Sequence, residues 1–304
     1  MGRLDERVAI VTGAGRGIGA AVAQRLAAEG AHVVVTDIGV GLDGSGGDTT
    51  PADDVVANIT ESGGIAASYA ADVSSHAAGE QLVQFAIDTF GRLDILINAA
   101  GILRDRMVFN MSEDEWDSVI AVHLKGCFNT TRFASAYWRK EPGEDRRLIN
   151  FTSIAGLNGS PSQPNYAAAK MGIIGFTMSC ANALGKYGVT ANCVSPGAAT
   201  RMTQAIPAEL LAEYRKTQDL PDDFEQRRSP DSMTPALVYL ASKDSGWLTG
   251  RVIGAQEYRI SLWNVPEIQR QIVSAGPWDL DDVFRELPGA FRAPVEGRKR
   301  LDEA

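Results

Sequence analysis

Cysteine, histidine and long apolar runs are all scarce in this 304-residue chain. The three cysteines, Cys127, Cys180 and Cys193, are odd in number and irregularly spaced. That excludes a disulfide framework and leaves them as small buried hydrophobes. The three histidines, His32, His76 and His123, lie far apart in sequence. No metal-ligand spacing results, and no metal is expected. Basic residues are in deficit as well: 29 Lys and Arg stand against 38 Asp and Glu, a formal net charge of −9. A nucleic-acid partner would need clustered cations, so none is expected. No apolar run approaches the ~18 residues of a membrane span. The segment Met1–Arg7 has no apolar signal region, and Glu6 stands where myristoylation requires Ser or Thr. A cytoplasmic location without a membrane partner is the expectation.

What is present is a chain with 44% hydrophobic residues, enough for a large core. Strand and helix signals take turns. Val8–Thr12 is a short apolar run that ends in glycines, and Gly17–Gly30 carries Ile18, Val22 and Leu26 at helical spacing. Ala31–Thr36 contains V-V-V, Ile65–Ala70 is a weak strand, Gln81–Phe90 reads as a helix and Leu93–Ile97 as a buried strand. Glu113–Arg139 reads as one long helix, opened by Ser112 with Glu115 three residues on, a capping-box spacing. Arg147–Phe151 is a strand, Tyr166–Tyr187 a helix and Thr190–Val194 a strand. The alternation predicts an α/β fold, a Rossmann-type doubly wound parallel sheet with helices on both faces. No repeat and no dividing linker occurs, so a single domain over 1–304 is expected, with a core of about 5–255 and an extension of about 256–304. Gly39–Asp54 is a glycine-rich loop longer than an ordinary strand-helix turn, a length that is usually functional or mobile.

The turn between the first strand and first helix reads Thr12-Gly13-Ala14-Gly15-Arg16-Gly17-Ile18-Gly19. Glycines there permit a tight turn and let backbone N–H groups approach a pyrophosphate. The helix that follows points its positive end at those phosphates. Asp37, after the second strand, is spaced to accept hydrogen bonds from adenosine ribose hydroxyls and to repel a 2′-phosphate, which favours NAD over NADP. Arg16 is the counter-signal, a cation able to bind such a phosphate. Asp72-Val73 follows the third strand, where a carboxylate can meet an adenine amino group. Asn98-Ala99-Ala100-Gly101 follows the fourth, with small residues for close backbone approach and an Asn able to pin neighbouring strands.

Tyr166 and Lys170 are separated by four residues, hence on one helix face. A tyrosine titrates near ~10 and needs a nearby cation to work as an acid/base at neutral pH. Such a pair exchanges a proton with a substrate oxygen while hydride moves to or from nicotinamide. Ser153, at a strand end 13 residues earlier, is a hydroxyl able to polarise a carbonyl.

The ordered series T-G-x-x-x-G-x-G, D-V, N-A-A-G, Ser, Y-x-x-x-K and Pro196-Gly197-x-x-Thr200 resembles the short-chain dehydrogenase/reductase family. The resemblance implies a sheet of about seven parallel strands. It also implies nicotinamide-side contacts from Pro196, Gly197 and Thr200, and a homodimer or homotetramer. One position departs: the family commonly has Asn in N-x-x-G where this chain has His123-Leu-Lys-Gly126. In the family that Asn holds a water linked to the catalytic Lys, a role an imidazole can also fill, with a possible titration near neutral pH. The His variant and the segment Thr36–Gly44 resemble the (3R)-hydroxyacyl-CoA dehydrogenase units of peroxisomal multifunctional enzymes and their bacterial relatives. A hydroxyacyl thioester or a steroid is therefore the expected substrate.

Ile206, Leu210, Leu211 and Tyr214 predict an amphipathic lid helix after Gly197, suited to a substrate with an apolar body. The extension carries Trp263, Trp278, Phe284 and Phe291, with the two tryptophans expected as packing anchors against the body or a neighbouring subunit. Alternatives on the same scaffold are an epimerase or dehydratase, or a non-catalytic NAD-binding regulator. The retained Ser153, Tyr166 and Lys170 speak against the regulator.

Overall fold

The computed structural model describes residues 2–141, 143, 145–198, 223–264 and 266–296. These divide between Trp263 and Asn264 into two compact units. The second contains one helix, Leu280–Glu296, with Pro288 and Pro294 inside it. Trp278 belongs to this unit and Trp263 to the first.

In the first unit the strands β1 (Val8–Thr12), β2 (His32–Thr36), β3 (Ile65–Ser68), β4 (Ile95–Asn98), β5 (Arg146–Phe151), β6 (Val189–Gly197) and β7 (Val252–Gln256) pair in parallel. An eighth, β8 (Arg259–Trp263), closes the edge antiparallel to β7. The order is β3-β2-β1-β4-β5-β6-β7-β8. The expected sheet is therefore present with one antiparallel strand added. β8 follows a two-residue turn in which Glu257 takes a left-handed φ of 54°.

The reason for the two-faced cover is visible along each strand. Ala9, Val11, Val33, Val35, Ile95 and Ile97 face one side, against α1 (Gly17–Ala28), α2 (Thr50–Glu61) and the helix Thr234–Ala241. Their neighbours Val8, Ile10, Val34 and Leu96 face the other, against α3 (His76–Phe90), α5 (Gly126–Lys140) and α7 (Pro164–Leu184). Successive strand residues point to opposite faces, so a sheet buried on both sides needs uninterrupted apolar runs.

Two helices depart from the sequence reading. The glycine-rich segment 39–54 ends early, because α2 starts at Thr50, with Pro51 in its first turn and Asp48 Oδ1 accepting from Thr50 N at 3.0 Å. The expected long helix over 113–139 is unbroken to Lys140 but carries an inserted π-helical turn (Ala121–Lys125) between α4 (Glu113–Ile120) and α5. Its capping box at Ser112 and Glu115 is present. The sheet order reverses between β1 and β4, and open α/β sheets bind ligands beyond the carboxyl ends of their strands at that point. α6 (Ile154–Asn158) and the start of α7 stand at the same edge, after β5.

Candidate active site

A cavity of about 620 Å³ opens at this edge, within the size range of small-molecule sites. One end lies over the glycine turn. Gly13 (φ 65°) is forced to be glycine, since a Cβ there would stand 2.6 Å from Ala100 Cα. Thr12 Oγ1, which the sequence motif includes without a role of its own, holds the facing segment by accepting from Ala99 N (3.0 Å) and Ala100 N (3.1 Å). Helix α1 begins at Gly17 after Arg16 with no side-chain cap, and Arg16, Gly17, Ile18 and Gly19 all line the cavity. An uncapped helix start facing a cavity leaves N–H groups for an anion. Asp37 lies beside it: Oδ2 accepts from Gly15 N (2.9 Å) and Oδ1 from Gly39 N (2.7 Å). A carboxylate has about four acceptor positions, so capacity remains for ligand hydroxyls. Asp72 and Val73 also line the wall. Asp72 Oδ1 is engaged by Ser74 N at 2.9 Å, and the Val73 carbonyl by Asn129 Nδ2 at 2.7 Å. Uncapped helix start, glycine turn and carboxylate together fit a dinucleotide.

The other end is built by α7. Tyr166 and Lys170 both face the cavity, and the ammonium lies 5.4 Å from the centre of the phenol ring. Lys170 Nζ donates to the Phe151 carbonyl at 2.8 Å. Burial lowers its pKa to about 8, so at neutral pH the ammonium is still mostly charged. Burial pushes the Tyr166 phenol above its usual value, and a hydrogen bond with Ser153 offsets this in part. The expected lowering is not seen: burial and the charge of Asp105 raise the phenol, and Ser153 is what opposes them. Ser153 caps α6, accepting from Ala155 N at 3.2 Å. It meets the phenol but is not among the residues lining the cavity.

His123 sits in the π-helical turn, packed edge-on to Tyr166 with ring centres 5.1 Å apart. Inserted π turns recur at functional sites. Its Nε2 is 2.8 Å from the Ile102 carbonyl oxygen and 3.1 Å from the Ile102 nitrogen, the tautomer deciding which is the partner. Nδ1 is buried without a partner. A Cβ on Gly101 would overlap this ring, so the glycine of N-A-A-G makes room for it. Burial first, then the charge of Lys170, push the imidazole pKa well below its usual range. Its titration therefore falls below neutrality rather than near it.

Pro196 lines the cavity, but Gly197 and Asn98 do not. Gly197 packs against Gln256. Asn98 is buried as a strand pin, donating from Nδ2 to Asn150 Oδ1 (2.8 Å) and accepting at Oδ1 from Thr130 Oγ1 (2.7 Å). Thr200 and the expected lid helix with Ile206, Leu210, Leu211 and Tyr214 lie outside the described residues. Among the described residues no cluster of His, Cys, Asp or Glu could hold a metal ion, and no helix is long and apolar enough to cross a membrane.

Comparison with known proteins bears on this geometry. The family model for the short chain dehydrogenases matches residues 7–210. The chain belongs to the short-chain dehydrogenase family. It is 40% identical over 295 residues to hydroxyacyl-CoA dehydrogenase ChsB1 of Mycobacterium tuberculosis, covering 95% of this chain and 89% of that protein. It is 39% identical over 238 residues to the mouse peroxisomal multifunctional enzyme type 2, covering 78% of this chain and 30% of that protein. A crystal structure of a short chain dehydrogenase from Mycobacterium avium superposes with a TM-score of 0.79 at 42% identity, covering 100% of this chain and 97% of that chain. As a short-chain dehydrogenase the protein is an oxidoreductase acting on hydroxyl or keto groups with a nicotinamide cofactor. The sequence reading overlooked Asn165, whose Nδ2 donates to the carbonyls of Arg104 (3.0 Å) and Glu115 (2.8 Å) while Oδ1 accepts from Tyr166 N (2.8 Å). Its position directly before Tyr166 was the available signal.

Proposed function

We propose that this short-chain dehydrogenase transfers a hydride between NAD(H) and the secondary alcohol or ketone of a 3-hydroxyacyl thioester, with Tyr166 as general acid/base. The observation that carries the reading is one continuous cavity with the Asp37 carboxylate at one end and Tyr166 and Lys170 at the other. The kinship to a hydroxyacyl-CoA dehydrogenase over 95% of the chain supports the substrate class; an apolar steroid alcohol is the second candidate. Bound nicotinamide supplies the hydride acceptor or donor.

The chain's own residues do the rest. The glycine turn from Gly13 to Gly19, with Arg16, holds the pyrophosphate, and Asp37 accepts from the adenosine ribose. Asp37 disfavours a 2′-phosphate by charge repulsion, which selects NAD. Asp72, Val73, Ala99, Ala100 and Gly101 flank the nucleoside, with Asn98 keeping that edge in register. Pro196, Gly197 and Thr200 bound the nicotinamide end. The Tyr166 hydroxyl gives a proton to the carbonyl oxygen in reduction and takes it back in oxidation, while Ser153 orients that oxygen. The Lys170 ammonium stabilises the phenolate as it forms, and His123 borders the same proton route. The reading carries the family expectation of a homodimer or homotetramer and, from the sequence, a cytoplasmic location, with residues 256–304 as an extension of a single domain; mass in solution tests the assembly.

The deciding experiment is a panel of 3-hydroxyacyl-CoA esters, 17β-hydroxysteroids and simple secondary alcohols with NAD and NADP, following reduced cofactor by absorbance. Turnover of the thioesters with NAD is expected. A preference for NADP of about twentyfold, ~1.8 kcal/mol, would overturn the Asp37 argument, and no turnover of any alcohol would overturn the whole reading.

A further inference from the structure

The glycine-rich segment after β2 is a folded strap. Asp48 N donates to the Ile38 carbonyl at 3.0 Å and closes its base. Gly39 (φ 65°) turns the chain there, and any Cβ at that position would overlap the Asp48 carbonyl. Inside the strap Gly41 N donates to Ser45 O (2.7 Å), and Asp43 Oδ1 accepts from Ser45 N (3.0 Å) and Ser45 Oγ (2.7 Å). These bonds hold its tip in one shape.

The tip does not end in solvent. Leu103 N donates to the Leu42 carbonyl at 2.8 Å, and Arg104 Nη1 donates to the Asp43 carbonyl at 3.1 Å. Gly44 rests against Ile102, where a Cβ would come within 3.3 Å of Cδ1. The strap thus leaves the β2 side of the sheet, passes the end of β1 and fastens to the segment after β4. Val40 to Gly44 and Ile102 form a wall of the cavity on the side of Asp37. The fastening segment is itself anchored: Arg104 Nη2 pairs with Asp114 at 2.7 Å, and the Arg104 carbonyl accepts from Asn165 beside Tyr166.

We propose that segment 38–48 is a strap that encloses the adenosine half of the dinucleotide, and that Arg104 is the positioning residue that latches it. This rests on the dinucleotide reading of the cavity and adds to it the element that retains the nucleotide. The strap residues Val40 to Gly44 line the cavity on the side of Asp37, so the latch is assigned to the adenosine half; the tie from Arg104 to Asn165 is made by its backbone carbonyl and survives loss of the side chain. Opening requires release of one backbone and one charged hydrogen bond at the tip, a small set that can exchange without unfolding the sheet.

The test measures binding rather than turnover, by calorimetry on the full chain with three ligands: NADH, ADP-ribose and reduced nicotinamide mononucleotide. Arg104→Ala is expected to weaken ADP-ribose and NADH alike by about tenfold and to leave the mononucleotide unchanged. Arg104→Lys should recover part of the loss, since a single donor still reaches the Asp43 carbonyl. Hydrogen exchange of segment 38–48 supplies the second readout: ADP-ribose should slow it in the natural chain and much less in Arg104→Ala. Because the Arg104–Asp114 pair is largely exposed on the Asp114 side, the substitution should leave the melting temperature nearly unmoved. Unchanged ADP-ribose affinity in Arg104→Ala, or an equal loss for all three ligands, overturns the strap while the dinucleotide reading stands. A natural chain that binds none of the three overturns that reading and the strap with it.

Discussion

The two ends of the cavity are made differently. At the Asp37 end these side chains are tied to the backbone while the uncapped start of α1 faces the cavity: the carboxylate holds two backbone N–H groups, Thr12 Oγ1 holds two more, and Asp72 is tied to its own turn. At the Tyr166 end the side chains are desolvated: His123 Nδ1 is buried without a partner, burial raises the Tyr166 phenol, and burial lowers the Lys170 ammonium to about 8. A nucleotide is recognised by shape and fixed dipoles, which a preformed backbone supplies. Proton transfer needs groups whose charge state is easily moved, and desolvation moves it. The contrast says that binding and chemistry should be separable by substitution.

Lys170→Met should separate them most strongly. Loss of the buried cation is expected to cut ketone reduction by about a thousandfold, read as kcat in steady state, with a smaller loss of NADH affinity. In the natural chain, kcat/KM for reduction should fall above about pH 8, where Lys170 loses its proton. Tyr166 remains protonated through that range because its pKa is raised, so the limb belongs to the lysine. The stability sign follows from the same shift. Lys170 titrates at about 8 in the folded chain against 10.5 otherwise, so the unfolded chain binds the extra proton between those values. Stability from this group therefore rises with pH across that window, and denaturant unfolding of Lys170→Met should lack the rise.

Asp37→Ser sharpens the other side. Removing the carboxylate should shift the NADP-to-NAD preference by about thirtyfold, ~2 kcal/mol, with kcat on NADH nearly unchanged. A shift confined to kcat would erase the distinction between the two ends. Gly101→Ala is the smaller probe. Its Cβ would overlap the His123 ring, displacing the imidazole from Tyr166, so kcat should drop about tenfold through overpacking, a larger change than that in ADP-ribose affinity.

The Asp37 end was legible in the sequence because its signals are local. A strand, a glycine turn and an acid after the next strand define their own geometry, and Tyr166 and Lys170 share a helix face through spacing alone. Other features needed the tertiary structure. Periodicity over 113–139 reads as one helix because it does not reveal which turn widens, and the π turn at Ala121–Lys125 exists where His123 must fit between Ile102 and Tyr166. Asn98 could be read as a strand pin from its place after β4, but its partners Asn150 and Thr130 could not. β8 escaped because its turn, Glu257-Tyr258, has no glycine or asparagine to announce a hairpin. The start of α2, by contrast, had readable signals in Asp48, Thr50 and Pro51 that the glycines upstream obscured.

The most direct test of the central claim is single-turnover reduction by Tyr166→Phe preloaded with saturating NADH and mixed with a 3-ketoacyl-CoA. The account predicts NADH affinity within about twofold of the natural chain and a hydride-transfer rate lowered by about a thousandfold or more. A rate within tenfold of the natural chain, with the cofactor demonstrably bound, would show that the proton comes from elsewhere and contradict the role given to the phenol.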